Sequence, residues 1–390
     1  MVTRPAALMI SLVFLLLLTP AKTNADLLPA AKPSQMPLEI YGGAWPTSHV
    51  QGFAIDMKKK HMYFSFTQML VKTDFQGNVI GTVTGITGHL GDIDFNSRGG
   101  GVYGSLEYKD EEAFYIAIFD GDKITREGMD AEADGVMTTV YLNEVVDDFI
   151  ADMDGDGKFD GDTADTLDHR YGTSGIDGIS FGPAFGRKNG PQKLMVAYGI
   201  YSNIEREDND HQVILQYDFR NWKKYERPLT QSDPHTSGPA NPEAKYFVYT
   251  GNTTYGVQNL EYDAYTGNWF MAVYEGQKEE FPNYSLFIID GSKAPVKGEI
   301  RGQAKPEEGL LLSLLEDGLY DEETGIYGWE FSGLPRPATA PQYGLESLGN
   351  GYYYVSHAGT VSEDGINKST GTAVLYKWTG ETPKPFEQVQ

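Results

Sequence analysis

The sequence predicts an all-β fold built from repeated four-stranded sheets, and two observations support this prediction. First, a polar tip followed by a strand-like run occurs five times with its columns in register. The five copies begin at His49, His89, Gly175, Gly256 and Gly344. Second, the segments after each tip are rich in β-branched and aromatic residues and are separated by Gly, Asn and Asp turns, a pattern typical of short antiparallel strands.

The first three repeats each contain four predicted strands. Those of the first repeat lie at 51–56, 62–66, 69–73 and 79–83. The second repeat predicts strands at 93–95, 102–106, 113–119 and, after a turn, 123–124. The third predicts strands at 179–181, 194–198, 211–217 and 222–227. Four strands in about forty residues is the density that such a sheet requires.

The last two repeats are less complete, and one strand precedes all the repeats. The fourth repeat predicts strands at 256–263, 268–274 and 284–289, and the fifth predicts a strand from Gly344 and others at 352–356 and 372–378. The strand at 38–41 has no partner within the first repeat. The five starts are 40, 86, 81 and 88 residues apart, so the longer repeats carry insertions.

Repeated four-stranded units of this kind resemble the blades of a β-propeller, in which the sheets stand radially around a channel. A β-sandwich is the alternative, but its strands lack a recurring tip phrase. Five copies predict five blades, while segments 317–321 and 326–331 leave a degenerate sixth blade open. The strand at 38–41 is expected to be the outer strand of the last blade, where it would close the ring.

The N-terminus predicts export. A positive start at Arg4, an apolar run over 6–18 and small residues at 23–25 are typical of a secretory signal peptide, whose apolar part is too short to span a membrane. We therefore expect a secreted or periplasmic protein without a membrane span. Residues 26–37 are expected to form a flexible leader. Residues 38–390 would form a single propeller domain, with insertions at about 126–172 and 303–340.

The composition limits the partners. Removal of residues 1–25 removes Arg4 and Lys22 and no acidic residue, which moves the formal charge from -24 to -26. Such a surface repels nucleic acid and anionic lipid, so neither is expected as a partner. The chain contains no cysteine, so its stability must come from core burial, ring closure or bound metal. We expect a monomer.

The insertion before the third repeat resembles an EF-hand or dockerin-type calcium loop. Its alternating acids would converge on one Ca²⁺, Gly157 would form the sharp turn, and a helix over 141–150 would lead into it. The resemblance assigns the ligands to Asp152, Asp154, Asp156, Lys158 (through its carbonyl), Asp160 and Asp162. The loop has Thr163 where the family has a bidentate Glu, so Asp162 or Asp165 would have to substitute. A solvated acidic loop without an ion is the alternative.

The repeat tips supply the second candidate site. One column of the aligned copies contains Gln51, Gly91, Asp177, Gln258 and Glu346. His49 and His89 lie two residues before this column, and Asp92 and Asn259 lie next to it. By analogy with other propellers, inner strands line the channel and sites lie at its mouth. We therefore expect the two imidazoles to meet at the mouth, opposite Asp177, Gln258 and Glu346.

Three interpretations of these tips remain open. His49, His89, Asp177 and Glu346 could act as general acids and bases, or they could hold a second divalent metal in the channel. Gln51, Asp92, Gln258 and Asn259 would then orient or bind the ligand. Alternatively, the whole set is a hydrogen-bonded polar plug.

The function predicted from these features is a calcium-binding hydrolase or lyase that acts on a carbohydrate or small ester at the channel mouth. A non-catalytic propeller that binds an extracellular ligand or partner is the alternative. Tyr255, Tyr343 and Trp45, near the tips, suit stacking on sugar rings, although most aromatic residues are expected in the core. The sequence contains no Gly-rich phosphate loop.

Overall fold

The computed structural model describes residues 36–160, 167–331 and 344–390. The predicted signal peptide, and the predicted leader up to residue 35, lie outside these residues. Five largely antiparallel sheets follow one another along the described chain, and their innermost strands pack side by side in a ring. The chain is therefore a five-bladed β-propeller, which confirms the predicted fold class.

The strands are distributed over the blades in chain order. The first, β1 (Glu39–Trp45), belongs to the last blade. Blade one contains β2 (Val50–Asp56), β3 (His61–Phe66), β4 (Met69–Asp74) and β5 (Val79–Thr84). Blade two contains β6 (His89–Phe95), β7 (Gly101–Tyr108) and β8 (Ala113–Asp120), with β9 (Met129–Asp130) returning to blade one and β10 (Met137–Tyr141) completing blade two. The helix α1 (Asn143–Phe149) follows.

The remaining blades carry most of the insertions. Blade three contains β11 (Thr173–Pro183), β12 (Gln192–Ile200), β13 (His211–Tyr217) and β14 (Ala244–Tyr249). Blade four contains β15 (Thr254–Asp263), β16 (Asn268–Tyr274) and β17 (Leu286–Ile289). The strands β18 (Val296–Glu299) and β19 (Glu308–Leu311) extend blade three, and β20 (Leu319–Tyr320) pairs with β21 (Tyr327–Gly328). Blade five contains β22 (Leu345–Ser347), β23 (Tyr352–Glu363), β24 (Ile366–Trp378) and β25 (Phe386–Gln388).

The ring is closed by its first strand. The strand β1 pairs antiparallel with β24, so that Ile40 lies opposite Ala373 and Trp45 lies opposite Ser369. Ile40 is fully buried, which anchors the closing strand in the core. This arrangement confirms the role predicted for the strand at 38–41, and it pairs an edge that would otherwise be open.

The fourth strand of blade two differs from the prediction. Residues 123–124 form no strand, and β10 pairs with β8 instead. The intervening chain crosses to blade one, where β9 pairs in parallel with β5. The buried Lys72 ammonium donates to Gly121 O at 2.7 Å and to Ile124 O at 3.1 Å. These bonds hold the segment against blade one, and a local sequence pattern cannot reveal such a long-range contact.

The fourth strand of blade three was also predicted in the wrong place. The predicted strand at 222–227 begins within a 3-10 helix, Phe219–Lys224, and β14 occupies the strand position. The Asp218 carboxylate accepts from Arg220 N at 3.2 Å at the start of that helix. Trp222 is buried against Tyr217, at 5.4 Å between ring centroids. The aromatic side chain of Trp222 therefore packs a helix against the core and does not mark a strand.

The segment proposed for a sixth blade covers blade four instead. Isolated bridges join Leu286 to Trp329 and Ile289 to Leu314, so this segment lies along the outer edge of β17. Within the described residues, β20 and β21 pair only with each other. The stretch read from sequence as the loop 303–340 thus contains three short strands in its described part. Among all the residues that the structure describes, no helix is long and apolar enough to cross a membrane.

Candidate functional site

The polar column at the repeat tips coincides with a structural irregularity. Four inner strands shift register at the same point, between Val50 and Gly52, Leu90 and Ile93, Ile176 and Ile179, and Val257 and Asn259. A bulge removes residues from the hydrogen-bonded ladder and redirects their side chains. Gln51, Asp92, Asp177 and Gln258 all lie within these bulges, which explains why their side chains make contacts between blades.

His89 is the best-connected residue of the mouth. Its Nε2 lies 3.1 Å from Gln51 Nε2, and its Nδ1 lies 3.5 Å from Glu107 Oε2. The second distance is that of an ion pair rather than a hydrogen bond. Lys109 Nζ lies 3.8 Å from the same carboxylate oxygen. The His89 side chain is 32% exposed, whereas that of Glu107 is 6% exposed. His89 can therefore be reached from solvent, while the buried Glu107 holds it from below.

The two imidazoles predicted to meet do influence each other. Burial lowers the pKa of His49, and the nearby His89 lowers it further. Burial also acts to lower the pKa of His89, but Glu107 and the negative charge of Asp177 outweigh it, and the pKa of His89 is raised. His89 is therefore the imidazole that favours the protonated state at the mouth, and His49 favours the neutral state.

Asp177 is a second carboxylic acid, besides Glu107, whose charge acts on His89. Burial raises its pKa to about 7; Glu107 raises it as well, whereas His89 and Lys109 oppose the rise. Its Oδ1 has no hydrogen-bond partner among the described residues. A methyl group at Gly91 would lie 2.2 Å from this oxygen, so blade two must have glycine in the tip column. Asp177 is thus a buried acid that exchanges its proton near neutral pH.

Asp92, predicted as a ligand-binding residue, links blades two, three and four. Its Oδ2 accepts from Ile179 N at 3.0 Å on blade three and from Leu260 N at 3.1 Å on blade four. Asp94, which the sequence analysis missed, accepts similarly from Phe181 N at 2.7 Å. Burial raises the pKa of both carboxyls. Because backbone amides occupy their oxygens, both are better described as structural links than as reactive groups.

Asn259 and Gln258 also have internal partners. The Asn259 amide donates to Gln51 O at 2.8 Å and to Gln258 O at 2.8 Å. The Gln258 amide donates to Tyr255 O at 3.0 Å. Since blades four and one are not neighbours, the first bond bridges the channel. For Asn259 and Gln258, these internal hydrogen bonds match the interpretation of the tips as a hydrogen-bonded polar plug.

Glu346 is not grouped with the histidines. Burial raises its pKa well above the usual range, and the charges that act on it are those of Asp94 and Asp92. Its neighbour in the channel is Glu261, a second residue missed from sequence, which accepts from Ser347 N at 2.9 Å. The expectation that Glu346 faces His49 and His89 across the mouth finds no contact to support it. Glu346 belongs to a group of buried acids with Glu261, Asp92 and Asp94.

Glu107 and Lys109 are candidate site residues that sequence reasoning missed. Glu107 lies directly opposite His89 in the pairing of β6 with β7, and its Oε1 accepts from Ile176 N at 2.5 Å. A hairpin register drawn from His89 would have placed Glu107 beside it, because facing residues share a strand pair. Lys109 follows β7 and lies 5.9 Å from the centre of the Tyr201 ring.

The aromatic residues named from sequence have different environments. Tyr255 is 55% exposed and adopts a φ of +65°, an uncommon conformation for a residue with a side chain. Trp45 is half-buried, and its Nε1 donates to Gly42 O at 2.8 Å. Tyr343 lies outside the described residues. Tyr255 and Trp45 therefore remain candidates for ligand contact.

The acidic loop contains the clearest candidate cation ligands. Asp152, Asp154 and Asp156 each offer an oxygen within 4.8 Å of the others, and all three are exposed. Asp152 also accepts from Gly155 N at 2.7 Å and Gly157 N at 2.9 Å, with Gly157 at a φ of +85°. In the part of the chain that the structure describes, no channel residues form such a group.

The rest of the loop is held by a residue that was not predicted. Asp168 is buried and accepts from Asp160 N at 2.8 Å and from Met153 N at 3.3 Å. Lys158 N donates to Asp156 Oδ1 at 2.8 Å. This bond does not involve the Lys158 carbonyl, which is the atom predicted to bind the ion. Asp162 and Thr163 lie outside the described residues. The predicted entering helix is observed as α1, shorter than expected because Tyr141 ends β10.

Comparison with known proteins adds little. No protein-family model and no curated protein matches the chain. One similar solved structure is described as the structure of Dos1 propeller; it has a TM-score of 0.32 and 10% identity, over 83% of this chain and 78% of that chain. The five-bladed arrangement therefore rests on the strand pairing itself, and the function has to be argued from the site.

Proposed function

We propose that this β-propeller is a hydrolase or lyase that acts outside the cytoplasm on a carbohydrate or small ester, by acid–base catalysis at the channel mouth. One observation carries the proposal. Asp177 has a buried, unpartnered Oδ1 and a pKa of about 7, and it lies within electrostatic reach of His89, whose pKa is raised. Perturbed acids and bases of this kind are concentrated at catalytic sites.

The charges assign a role to each residue. His89 lowers the pKa of Asp177 and Asp177 raises that of His89, so ionised Asp177 and protonated His89 favour each other. In that state Asp177 accepts a proton from water or substrate, and His89 donates one to the leaving group. Because the two groups titrate together, their pKa values describe the pair.

The surrounding residues position this pair. Glu107 accepts from a backbone amide of blade three with one oxygen and faces His89 Nδ1 with the other. Gln51 fixes the opposite imidazole nitrogen, and its amide also donates to Thr67 Oγ1 at 3.0 Å. The Gln51 amide is a donor, so it holds His89 Nε2 only while that nitrogen is unprotonated. In the protonated state Nε2 becomes a donor and is released for proton transfer, while Nδ1 still faces Glu107.

A non-catalytic binding propeller is the second candidate. It is supported by the bond from Asn259 to Gln51 O, which bridges the channel below the mouth, and by the burial of most of the tip column. A ligand would then occupy the mouth without reaction. The exposed Tyr255 is suited to contact such a ligand.

Two further properties belong to the proposal. Asp152, Asp154 and Asp156 would hold a structural Ca²⁺, supported by the convergence of their oxygens and by the positive φ of Gly157. Export is supported by the N-terminal pattern of Arg4 followed by an apolar run, and it is compatible with the lack of cysteine.

The test is a substrate screen with matched variants. Wild type, His89→Gln and Asp177→Asn are assayed on oligosaccharides and short-chain esters, with His61→Gln as a control because His61 lies at the opposite end of the β2–β3 hairpin. We expect turnover by wild type and the control, with a loss of 10²-fold or more in the two site variants. Equal turnover in all four proteins would refute the acid–base site. Binding without turnover in wild type would favour the second candidate.

A further inference from the structure

A groove lies at the same end of the propeller as the channel mouth. It has a volume of about 630 Å³ and is lined by the end of β1, the β3–β4 turn and the chain after β5. Since adjacent strands of blade one are antiparallel, these ends coincide with the start of β2, where His49 lies. The volume is in the range of small-molecule sites.

Two stretches of chain connect the wall of the groove to the proposed catalytic residues. Thr47 in its wall is two residues from His49. Gln68 in its wall follows Thr67, whose hydroxyl accepts the Gln51 amide at 3.0 Å. A chain-like ligand that ends at His89 would therefore extend into this groove.

The walls combine a fixed aromatic ring with apolar and polar groups. Trp45 is held by the bond from its Nε1 to Gly42 O at 2.8 Å and by the pairing of β1 with β24. Met69 and Ile86 are almost fully buried and form an apolar surface beside it. The Gln68 amide is exposed, and the Thr84 hydroxyl, which donates to Met129 O at 3.4 Å, keeps its acceptor lone pairs.

The charge of the groove selects among ligands. Glu127 is the single charged side chain among the described lining residues, which include no lysine or arginine. The neighbouring Arg126 is paired with Asp134, at 2.9 Å. Together with the formal charge of -24, this repels anionic chains such as those of uronic acids.

We infer that this groove binds a neutral carbohydrate chain, with one sugar ring stacked on Trp45 and its hydroxyls bonded to Gln68 and Thr84. The inference rests on the proposed function and names its substrate class. An indole face offers apolar surface to a sugar ring, while amide and hydroxyl groups exchange hydrogen bonds with its hydroxyls.

Calorimetric titration of the His89→Gln protein tests the inference without turnover. The probes are neutral hexasaccharides of glucose, xylose or mannose, with hexagalacturonate as the anionic comparison. We expect at least one neutral chain to bind and hexagalacturonate not to bind. Adding Trp45→Ala should weaken binding roughly three- to tenfold, by loss of the stacking surface. Tyr41→Ala, an exposed aromatic at the other end of the same strand, should leave the affinity unchanged.

Gln68→Ala provides a second variant that disturbs no core contact, because Gln68 lies in an exposed turn; it should weaken binding roughly two- to tenfold. The inference is overturned if no neutral chain binds, or if Trp45→Ala and Gln68→Ala both bind like Tyr41→Ala. Such a result leaves turnover of a small ester, and with it the acid–base site, untouched. Conversely, binding that depends on Trp45 together with unchanged turnover in Asp177→Asn would refute the acid–base site alone.

Discussion

Asn259, on the inner strand of blade four, donates its side-chain amide to the backbone oxygen of Gln51 on blade one, at 2.8 Å. The two blades are not neighbours in the ring, so this bond spans the channel. The tip-column residues around it differ in their electrostatic neighbours: His89, Glu107 and Lys109 act on Asp177, whereas Asp94 and Asp92 act on Glu346. Residues that share one column in the sequence therefore do not share one environment.

Removal of this bridge should destabilise the ring. Asn259→Ala leaves Gln51 O and Gln258 O buried without their donor, and such losses cost about 1–3 kcal/mol each. Urea unfolding should show a lower free energy of unfolding. Asn221→Ala, on an exposed 3-10 helix, is the control and should change it little. Equal effects from the two variants would show that the bridge does not stabilise the propeller.

Replacement of Asp177 should abolish turnover and leave the fold intact. Asp177→Asn keeps the size of the side chain but cannot accept a proton, so we expect kcat/KM to fall by roughly 10²- to 10⁴-fold. The pH–rate profile should also change, because the wild-type profile would contain a limb near the pKa of about 7. A variant with an unaltered profile would show that another group supplies this proton transfer.

The same substitution should stabilise the protein at alkaline pH. The pKa of Asp177 rises from 3.8 to about 7 on folding, so between these values the folded state binds more protons than the unfolded state. Wild-type stability therefore falls as pH rises through this window. The free energy of unfolding of Asp177→Asn should exceed that of wild type by as much as roughly 4 kcal/mol at pH 8 and match it near pH 3.

Denaturant unfolding at several pH values measures this difference, which includes the accompanying change in the pKa of His89 and of Asp92, because the charge of Asp177 acts on both. His89, Glu107 and Lys109 are the charged groups that act on Asp177, so the measurement should be repeated at high salt. A difference that does not grow between pH 4 and 7 would contradict the raised pKa.

Gly91 should be intolerant of a side chain. A Cβ there would lie 2.2 Å from Asp177 Oδ1 and 2.5 Å from Ser105 Oγ, so either the acid or the strand must move. We expect Gly91→Ala to lower the free energy of unfolding by about 1–3 kcal/mol and to reduce turnover. Gly190→Ala is the matched control, because a Cβ at Gly190 would meet no atom within 4 Å. Turnover that survives in full would show that Asp177 need not keep this position.

Calcium should stabilise the protein through the acidic loop. At a concentration one hundred times the dissociation constant, a bound ion adds about 2.7 kcal/mol to the free energy of unfolding. Thermal unfolding with calcium and with a chelator measures the shift. Asp154→Asn removes one charged ligand and should reduce it, while Asp317→Asn, an exposed acid with a similar backbone contact, should not. An identical melting temperature under both conditions would show that no ion stabilises the loop.

The sequence by itself determined the repeat and its consequences. The tip phrase predicted the inner strands, five blades and the closing strand, because alternation and turn residues are local properties. The same local reading failed at residues 123–124 and 222–227, where Lys72 and Trp222 act through contacts far along the chain or in the core. It named Trp45 as an aromatic near the tips, but only the structure placed it beside a groove.

Only the tertiary structure showed that the residues of the polar column have different environments. Sequence alignment placed Gln51, Asp177, Gln258 and Glu346 in one column and could not distinguish them, because equivalent positions of five blades look alike in a repeat. Their differences arise between blades: Asp177 keeps an unpartnered oxygen near His89, whereas Asp92, next to that column, accepts from backbone amides of blades three and four. Burial and partner charges set these roles, and both depend on how the ring closes.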